Sequence, residues 1–197
     1  MKKIYIILII TAILLIVSVV LLKKLNVIKS VSMLDKRLRY FNMDEFDSPA
    51  QATDTGEKYQ KGGRQYLRNS GSENMDGNFL KMLDNARHMI EKEWNENNPA
   101  KKIVFRINSG YRTQGYNDSL EGSVPNSSHI IGKASDISLS GYDREQQEVV
   151  INALGRVGFT RFGLGKTYVH VDNDSAKPQN VAWNYGAGSI DIDPFTV

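Results

Sequence analysis

The alternation of apolar and polar positions divides the chain into three unequal stretches. Residues 4–22 form an almost unbroken apolar run, bracketed by Lys2-Lys3 and Lys23-Lys24. At 1.5 Å per residue a helix through this run would reach roughly 28 Å, close to the ~30 Å hydrocarbon core of a bilayer. No charge interrupts it, and it is longer than a buried core helix needs to be. A cleaved signal peptide is the rival reading, but the run ends in Leu21-Leu22-Lys23-Lys24 with no small-residue cleavage site close by. A retained signal anchor over residues 1–22 is therefore expected, with the lipid bilayer as its partner. Residues 23–40 read as a short basic stalk and residues 41–197 as a globular domain.

Inside that domain the apolar spacing changes repeatedly between helical and strand periods. Asp76 can cap a helix that continues through Trp94, because Phe79, Leu83, Ala86, Ile90 and Trp94 recur at three- and four-residue steps. Asp143 can cap a second helix, with Gln146 completing a capping box and Val149, Val150, Ala153, Leu154 and Val157 facing inward. Residues 103–107, 134–139, 162–164, 168–171 and 181–185 read as short strands. Residues 50–72 are polar and read as a long loop. Residues 113–128, rich in Gly and Asn, form a second polar stretch. Together these predict an α+β domain with a small, mainly antiparallel sheet and packed helices, preceded by one N-terminal transmembrane helix.

Charge alters the picture only slightly. The net charge of +3 is misleading, because five of the 25 basic side chains are lysines in the first 30 residues, which hold no acid. The remainder has 20 basic and 22 acidic side chains, so no basic footprint points to nucleic acid. Lysines on both flanks of the apolar run leave the positive-inside rule without a firm orientation. The chain has no cysteine, which leaves any metal to His, Asp and Glu.

The chemistry concentrates in two segments. In the first, His129 ends the Gly/Asn-rich loop and Asp136 lies within the next strand. A carboxylate inside an apolar strand is costly unless something compensates it, and a cation would. In the second, Tyr168-Val169-His170-Val171-Asp172 alternates, so His170 and Asp172 share one face and the valines the other. Two imidazoles and one carboxylate make a three-ligand site with a fourth position open to water, the pattern of catalytic zinc. His88 lies on a helix without ligand partners at metal spacing and receives no role. Arg112, just after Gly110-Tyr111, is suited to hold a carboxylate or a developing negative charge, although a surface salt bridge is the plainer reading.

From about Glu45 onward the chain resembles the LAS-type zinc peptidases, which include D-alanyl-D-alanine carboxypeptidases and dipeptidases and phage L-alanyl-D-glutamate endolysins. The resemblance is carried by Glu45-Phe46-Asp47-Ser48-Pro49, Asn108-Ser109-Gly110-Tyr111-Arg112-Thr113, Asn117, Val124-Pro125-Asn126-Ser127-Ser128-His129, Gly132-Lys133-Ala134-Ser135-Asp136-Ile137, Gly158-Phe159-Thr160-Arg161, Gly163, Gly165, His170-Val171-Asp172, Trp183 and Tyr185. It implies one zinc ion on His129, Asp136 and His170, with Arg112 orienting substrate and stabilising the oxyanion. It also implies that Tyr111, Ser127, Ser128 and Trp183 contact substrate. Several members place a catalytic acid three residues before the last histidine ligand, where this chain has Thr167. Asp172 is then the nearest carboxylate for a general base, or else it orients a ligand from behind, with Asp174 a weaker rival. The activity implied is hydrolysis of peptidoglycan stem peptides by an extracytoplasmic, membrane-anchored domain. The alternative is a catalytically inactive, zinc-containing cell-wall-binding domain.

Overall fold

The two predicted caps start the two long helices. Asp76 accepts a hydrogen bond from the Phe79 N–H at 2.8 Å and opens the helix Gly77–Met89. Asp143 accepts from the Gln146 N–H at 3.0 Å while Gln146 Oε1 accepts from the Asp143 N–H at 3.1 Å, opening the helix Arg144–Arg156. Each cap satisfies backbone donors that the first turn leaves free.

The computed structural model describes residues 38–196. In chain order its elements are β1 (Lys58–Lys61), β2 (Arg64–Leu67), α1 (Ser70–Asn74), α2 (Gly77–Met89), β3 (Ile107–Ser109), α3 (Gln114–Asp118), β4 (Ala134–Ser138), α4 (Arg144–Arg156), β5 (Arg161–Leu164), β6 (Tyr168–Asp172) and β7 (Val181–Asn184), with short 3₁₀ turns at Met43–Phe46 and Pro99–Lys101. Strands β3 to β7 form one sheet in the order β3-β4-β6-β5-β7, antiparallel except for the β5–β7 pair. This is the expected α+β domain with a small, mainly antiparallel sheet. The apolar run at residues 4–22 and the stalk up to residue 37 lie outside the described residues. Among the described residues no helix is long and apolar enough to cross a membrane. Arg39 and Tyr40, read above as the end of the stalk, dock on α2: the backbone N–H of each donates to Asp84, and the Arg39 Nε pairs with the same carboxylate at 2.7 Å.

One core lies between the helices and one face of the sheet. Phe79, Leu80, Leu83 and Ala86 of α2, Val150, Ile151 and Leu154 of α4, and Ile137, Phe162, Val169 and Val171 of the sheet all belong to it. Full burial of such side chains stabilises by about 1.5–3 kcal/mol each. Because side chains alternate along a strand, burying Val169 and Val171 sends Tyr168, His170 and Asp172 to the opposite face.

Three elements depart from the sequence reading. The α2 periodicity does extend to Trp94, but as a π-helical segment, Ile90–Asn95. Residues 103–107 alternate as expected, with Ile103 and Phe105 buried and Val104 exposed, yet ladder pairing begins only at Ile107. The reason is local: the Asn95 side chain takes both the N–H and the C=O of Ile103, and the Tyr142 hydroxyl donates to the Val104 carbonyl. Residues 50–72 are a loop only up to residue 57. Lys58–Lys61 and Arg64–Leu67 within them fold into the β1–β2 hairpin, turned by Gly62-Gly63 at φ 58° and 79°. Tyr59 and Tyr66 sit directly opposite each other, ring centroids 5.8 Å apart.

Gly132 holds the segment between His129 and β4. Its φ is +67°, and a Cβ there would overlap the carbonyl oxygen of Asn74. Gly122 has a similar φ of +73° but open space around it. Gly122→Ala is therefore expected to cost only the left-handed strain, about 1–2 kcal/mol, and Gly132→Ala about 3 kcal/mol or more. Urea denaturation of the two variants measures the difference, and equal losses would contradict the close approach.

Candidate metal centre

The register of β4 against β6 places Asp136 directly opposite His170. Their Oδ1 and Nδ1 atoms lie 2.9 Å apart. His129 arrives from the loop before β4, with its Nε2 3.2 Å from His170 Nδ1 and 3.3 Å from Asp136 Oδ1. Three ligand-type atoms from two strands and a loop thus form a triangle with edges of 2.9–3.3 Å. Zinc bonds of about 2.0–2.1 Å at tetrahedral angles need edges of roughly 3.3 Å, so the donor set fits a zinc ion in both chemistry and spacing. Among the described residues this is the group of His and acidic side chains that could hold a metal.

Each histidine is oriented from behind. His129 Nδ1 lies 2.6 Å from the Gly110 carbonyl, to which it donates, leaving the Nε2 lone pair for the site. The Arg112 N–H in turn donates to the His129 carbonyl at 3.2 Å. The Ser109-Gly110-Tyr111-Arg112 turn therefore clamps the first ligand through its backbone. His170 Nε2 lies 3.3 Å from Asp172 Oδ2, which fixes Nδ1 toward Asp136. Asp172 Oδ1 accepts from Arg161 Nε at 2.7 Å and from the Asp174 N–H at 3.1 Å. Arg161 and Asp172 are themselves opposite each other in the β5–β6 ladder.

The expectation that His170 and Asp172 share one face holds, but Asp172 meets the nitrogen of His170 that points away from the triangle. It is 1% exposed and both of its oxygens are engaged. Arg112 pairs through Nη2 with Asp136 Oδ2 and through Nε with Ser109 Oγ at 2.8 Å. Asp136 thus turns one oxygen to Arg112 and the other to the histidines. Ser127, Ser128 and Trp183 border a cavity of about 630 Å³ over the triangle. Tyr111 does not border it: the side chain is half-buried against the core, beside a separate hollow lined by Asn69, Ser70 and Asn74. Thr167 is exposed on the β5–β6 turn, and His88 is hydrogen-bonded to the Tyr40 hydroxyl at 2.7 Å.

Sequence reasoning gave no role to Arg161, Lys177, Glu121 and Tyr168, all of which border the cavity. For Arg161 a signal existed, since a cation in an apolar strand demands a partner, but the partner depends on the β5–β6 register. Gly163 lies opposite His170, and its missing side chain admits the Trp183 ring, whose centroid is 5.6 Å from that of His170.

Burial lowers the pKa of His129, only partly offset by Asp136, so this imidazole is neutral and ready to ligate. Burial opposes ionisation of Asp136, yet the two imidazoles beside it hold the carboxyl well below its usual range. For His170 burial acts downward, but the hydrogen bonds to Asp136 and Asp172 outweigh it and raise the pKa. A proton therefore competes with a metal at His170. Below the raised pKa, metal binding must expel that proton. Above it, no proton is displaced and affinity levels off. Zinc affinity, measured against a competing chelator between about pH 6 and 8, is expected to fall as pH falls, with proton release seen by calorimetry in two buffers. An affinity independent of pH across that range would contradict the assignment.

A comparison with curated proteins gives no match. A family model does match, and it spans residues 70–172, more than half of the chain. The matched segment opens at α1 and closes on Asp172, so it contains the clamp at Gly110, all three groups of the triangle and the carboxylate behind His170. Its description is peptidase M15, a zinc-dependent family of D-alanyl-D-alanine carboxypeptidase type. On that match, and on a donor triangle of the size zinc requires, the chain belongs to the peptidase M15 family.

Proposed function

We propose that the protein hydrolyses peptide bonds in peptidoglycan stem peptides, acting outside the cytoplasm from a membrane anchor formed by residues 1–22. The observation that carries this reading is the triangle of His129, Asp136 and His170 at the floor of an open cavity, in a chain of the M15 family. The apolar run with its flanking lysines supports the anchor, which would keep the enzyme beside an insoluble substrate.

A zinc ion on these three side chains would supply a Lewis acid that activates water and polarises the scissile carbonyl. The protein's own groups do the rest. Arg112, held by Asp136 and Ser109, has its Nη1 without a described partner and borders the cavity. It is proposed to hold a substrate carboxylate or the oxygen on which negative charge develops. Trp183 and Tyr185 supply an aromatic wall beside His170. Asp172, locked by Arg161 and the Asp174 N–H, is proposed to position His170 rather than to accept a proton. Glu121 is then the carboxylate left for proton transfer: it borders the cavity, is exposed, and has no hydrogen bond or ion pair among the described residues. It sits at the apex of the turn Leu120-Glu121-Gly122-Ser123, closed by the Ser123 N–H to the Leu120 carbonyl at 3.2 Å.

The second reading, a zinc-holding module that binds the wall without cutting it, is favoured by Thr167, which replaces the acid seen three residues before the last ligand in several relatives. Full-length protein loaded with zinc and incubated with purified peptidoglycan separates the two. The proposed function predicts about one zinc per chain and release of peptide fragments that a chelator abolishes. Bound wall with no fragment released would favour the second reading. Within the first, Glu121→Gln is expected to lower turnover by about 10²–10⁴-fold with zinc retained. Asp172→Asn is expected to weaken zinc binding by about 10–100-fold. The reverse pattern would return the base to Asp172.

A further inference from the structure

We propose that Lys177, a second cation lining the cavity besides Arg112, is a specificity residue which takes a second substrate carboxylate, so that the enzyme prefers diacidic peptides. This rests on the peptidase reading above and extends it.

The polar groups of the site form one continuous line. Arg112 pairs with Asp136, Asp136 with His170 Nδ1, His170 Nε2 with Asp172, and Asp172 with Arg161. Arg112 and Arg161 are therefore the terminal members of this hydrogen-bonded line, with Asp136 and His170 of the metal triangle between them. Beyond Arg161 the line continues to the loop after β6, because Arg161 Nη1 donates to the carbonyl of Pro178. The residue immediately before Pro178 is Lys177, whose ammonium reaches back to Ser128 Oγ at 2.9 Å, next to the ligand His129. Both Lys177 and Ser128 border the metal cavity.

The two cations on this side, Arg161 and Lys177, differ in how fully they are used. Arg161 is spent on Asp172 and Pro178 and is buried. Among the described residues the Lys177 side chain has one hydrogen bond, to Ser128. Its carboxylate neighbour Asp174 stands at 3.8 Å and is already engaged by the Ser128 hydroxyl and the Ala176 N–H. With one donor on Ser128 and one side of the ammonium toward Asp174, at least one ammonium donor is left for a ligand. Lys177 also borders an adjoining hollow of about 300 Å³ lined by Pro125, Ile130 and Ile131. A peptide leaving the triangle in this direction passes Lys177 before it meets that aliphatic surface. With Arg112 holding one carboxylate, an extended peptide across the metal brings a residue on the far side of the scissile bond to Lys177. A carboxylate there would gain a charge-assisted hydrogen bond. A carboxamide of the same shape would not.

The test uses the full-length, zinc-loaded chain and two acetylated tripeptides, glutamyl-D-alanyl-D-alanine and its glutaminyl counterpart. Binding is measured by calorimetry and cleavage by chromatography. The wild type is expected to bind the glutamyl peptide roughly tenfold more tightly. Lys177→Gln should bind both peptides alike and keep its zinc, and Lys177→Arg should retain the preference. Equal binding of the two peptides by the wild type, or an undiminished preference in Lys177→Gln, would overturn the proposal. A preference that depends on Lys177 in a protein that cleaves neither peptide would uphold the carboxylate site and count against the peptidase reading, so the two stand or fall separately.

Discussion

A continuous line of paired polar groups, Arg112–Asp136–His170–Asp172–Arg161, runs across the floor of the cavity and governs the rest of the structure. Ionised side chains removed from water are costly unless each finds a partner of opposite sign with good geometry. Here each carboxylate pairs with one arginine and with the His170 ring between them, and each arginine pairs with one carboxylate. The sheet makes this possible, because Asp136 faces His170 and Arg161 faces Asp172 across adjacent ladders. A one-residue slip of β6 would turn Val169 and Val171 out of the core and His170 into it. The hydrophobic face and the polar line therefore enforce the same register.

The first histidine depends on a different constraint. His129 belongs to no strand, so its position comes from backbone contacts with the Ser109-Gly110-Tyr111-Arg112 turn on one side and from the close approach of Gly132 to Asn74 on the other. The turn is itself fixed from below, since the Tyr111 N–H donates to the Phe46 carbonyl at 3.0 Å. Residues near the start of the domain thus reach the metal centre through two hydrogen bonds. This gives a physical reason for the Phe46 region and the turn to be part of one motif set, although neither supplies a ligand.

Much of this was legible in the residues. Asp76 and Asp143 announce their helices, and the Val-His-Val-Asp alternation announces which face of β6 carries chemistry. His129, Asp136 and His170 stand out because polar groups in apolar or glycine-rich settings require a partner. What stayed hidden depends on pairing and rotamer. The side of His170 that Asp172 occupies is a matter of ring orientation, which alternation cannot reveal. The role of Arg161 needs the β5–β6 register. The β1–β2 hairpin was obscured by its polar strands, although Gly62-Gly63 between Tyr59 and Tyr66 is a two-residue turn signal. Tyr111 follows the same motif as Arg112, yet successive residues leaving a strand diverge, and only Arg112 borders the metal cavity.

Zinc K-edge X-ray absorption on the purified protein reads the ligand set of the metal itself. A nitrogen/oxygen shell at about 2.0–2.1 Å is expected, carrying the multiple-scattering signature of two imidazoles and losing one imidazole in His129→Ala and in His170→Ala. A spectrum of fully hydrated zinc, or one unchanged by either substitution, would contradict this ligand set.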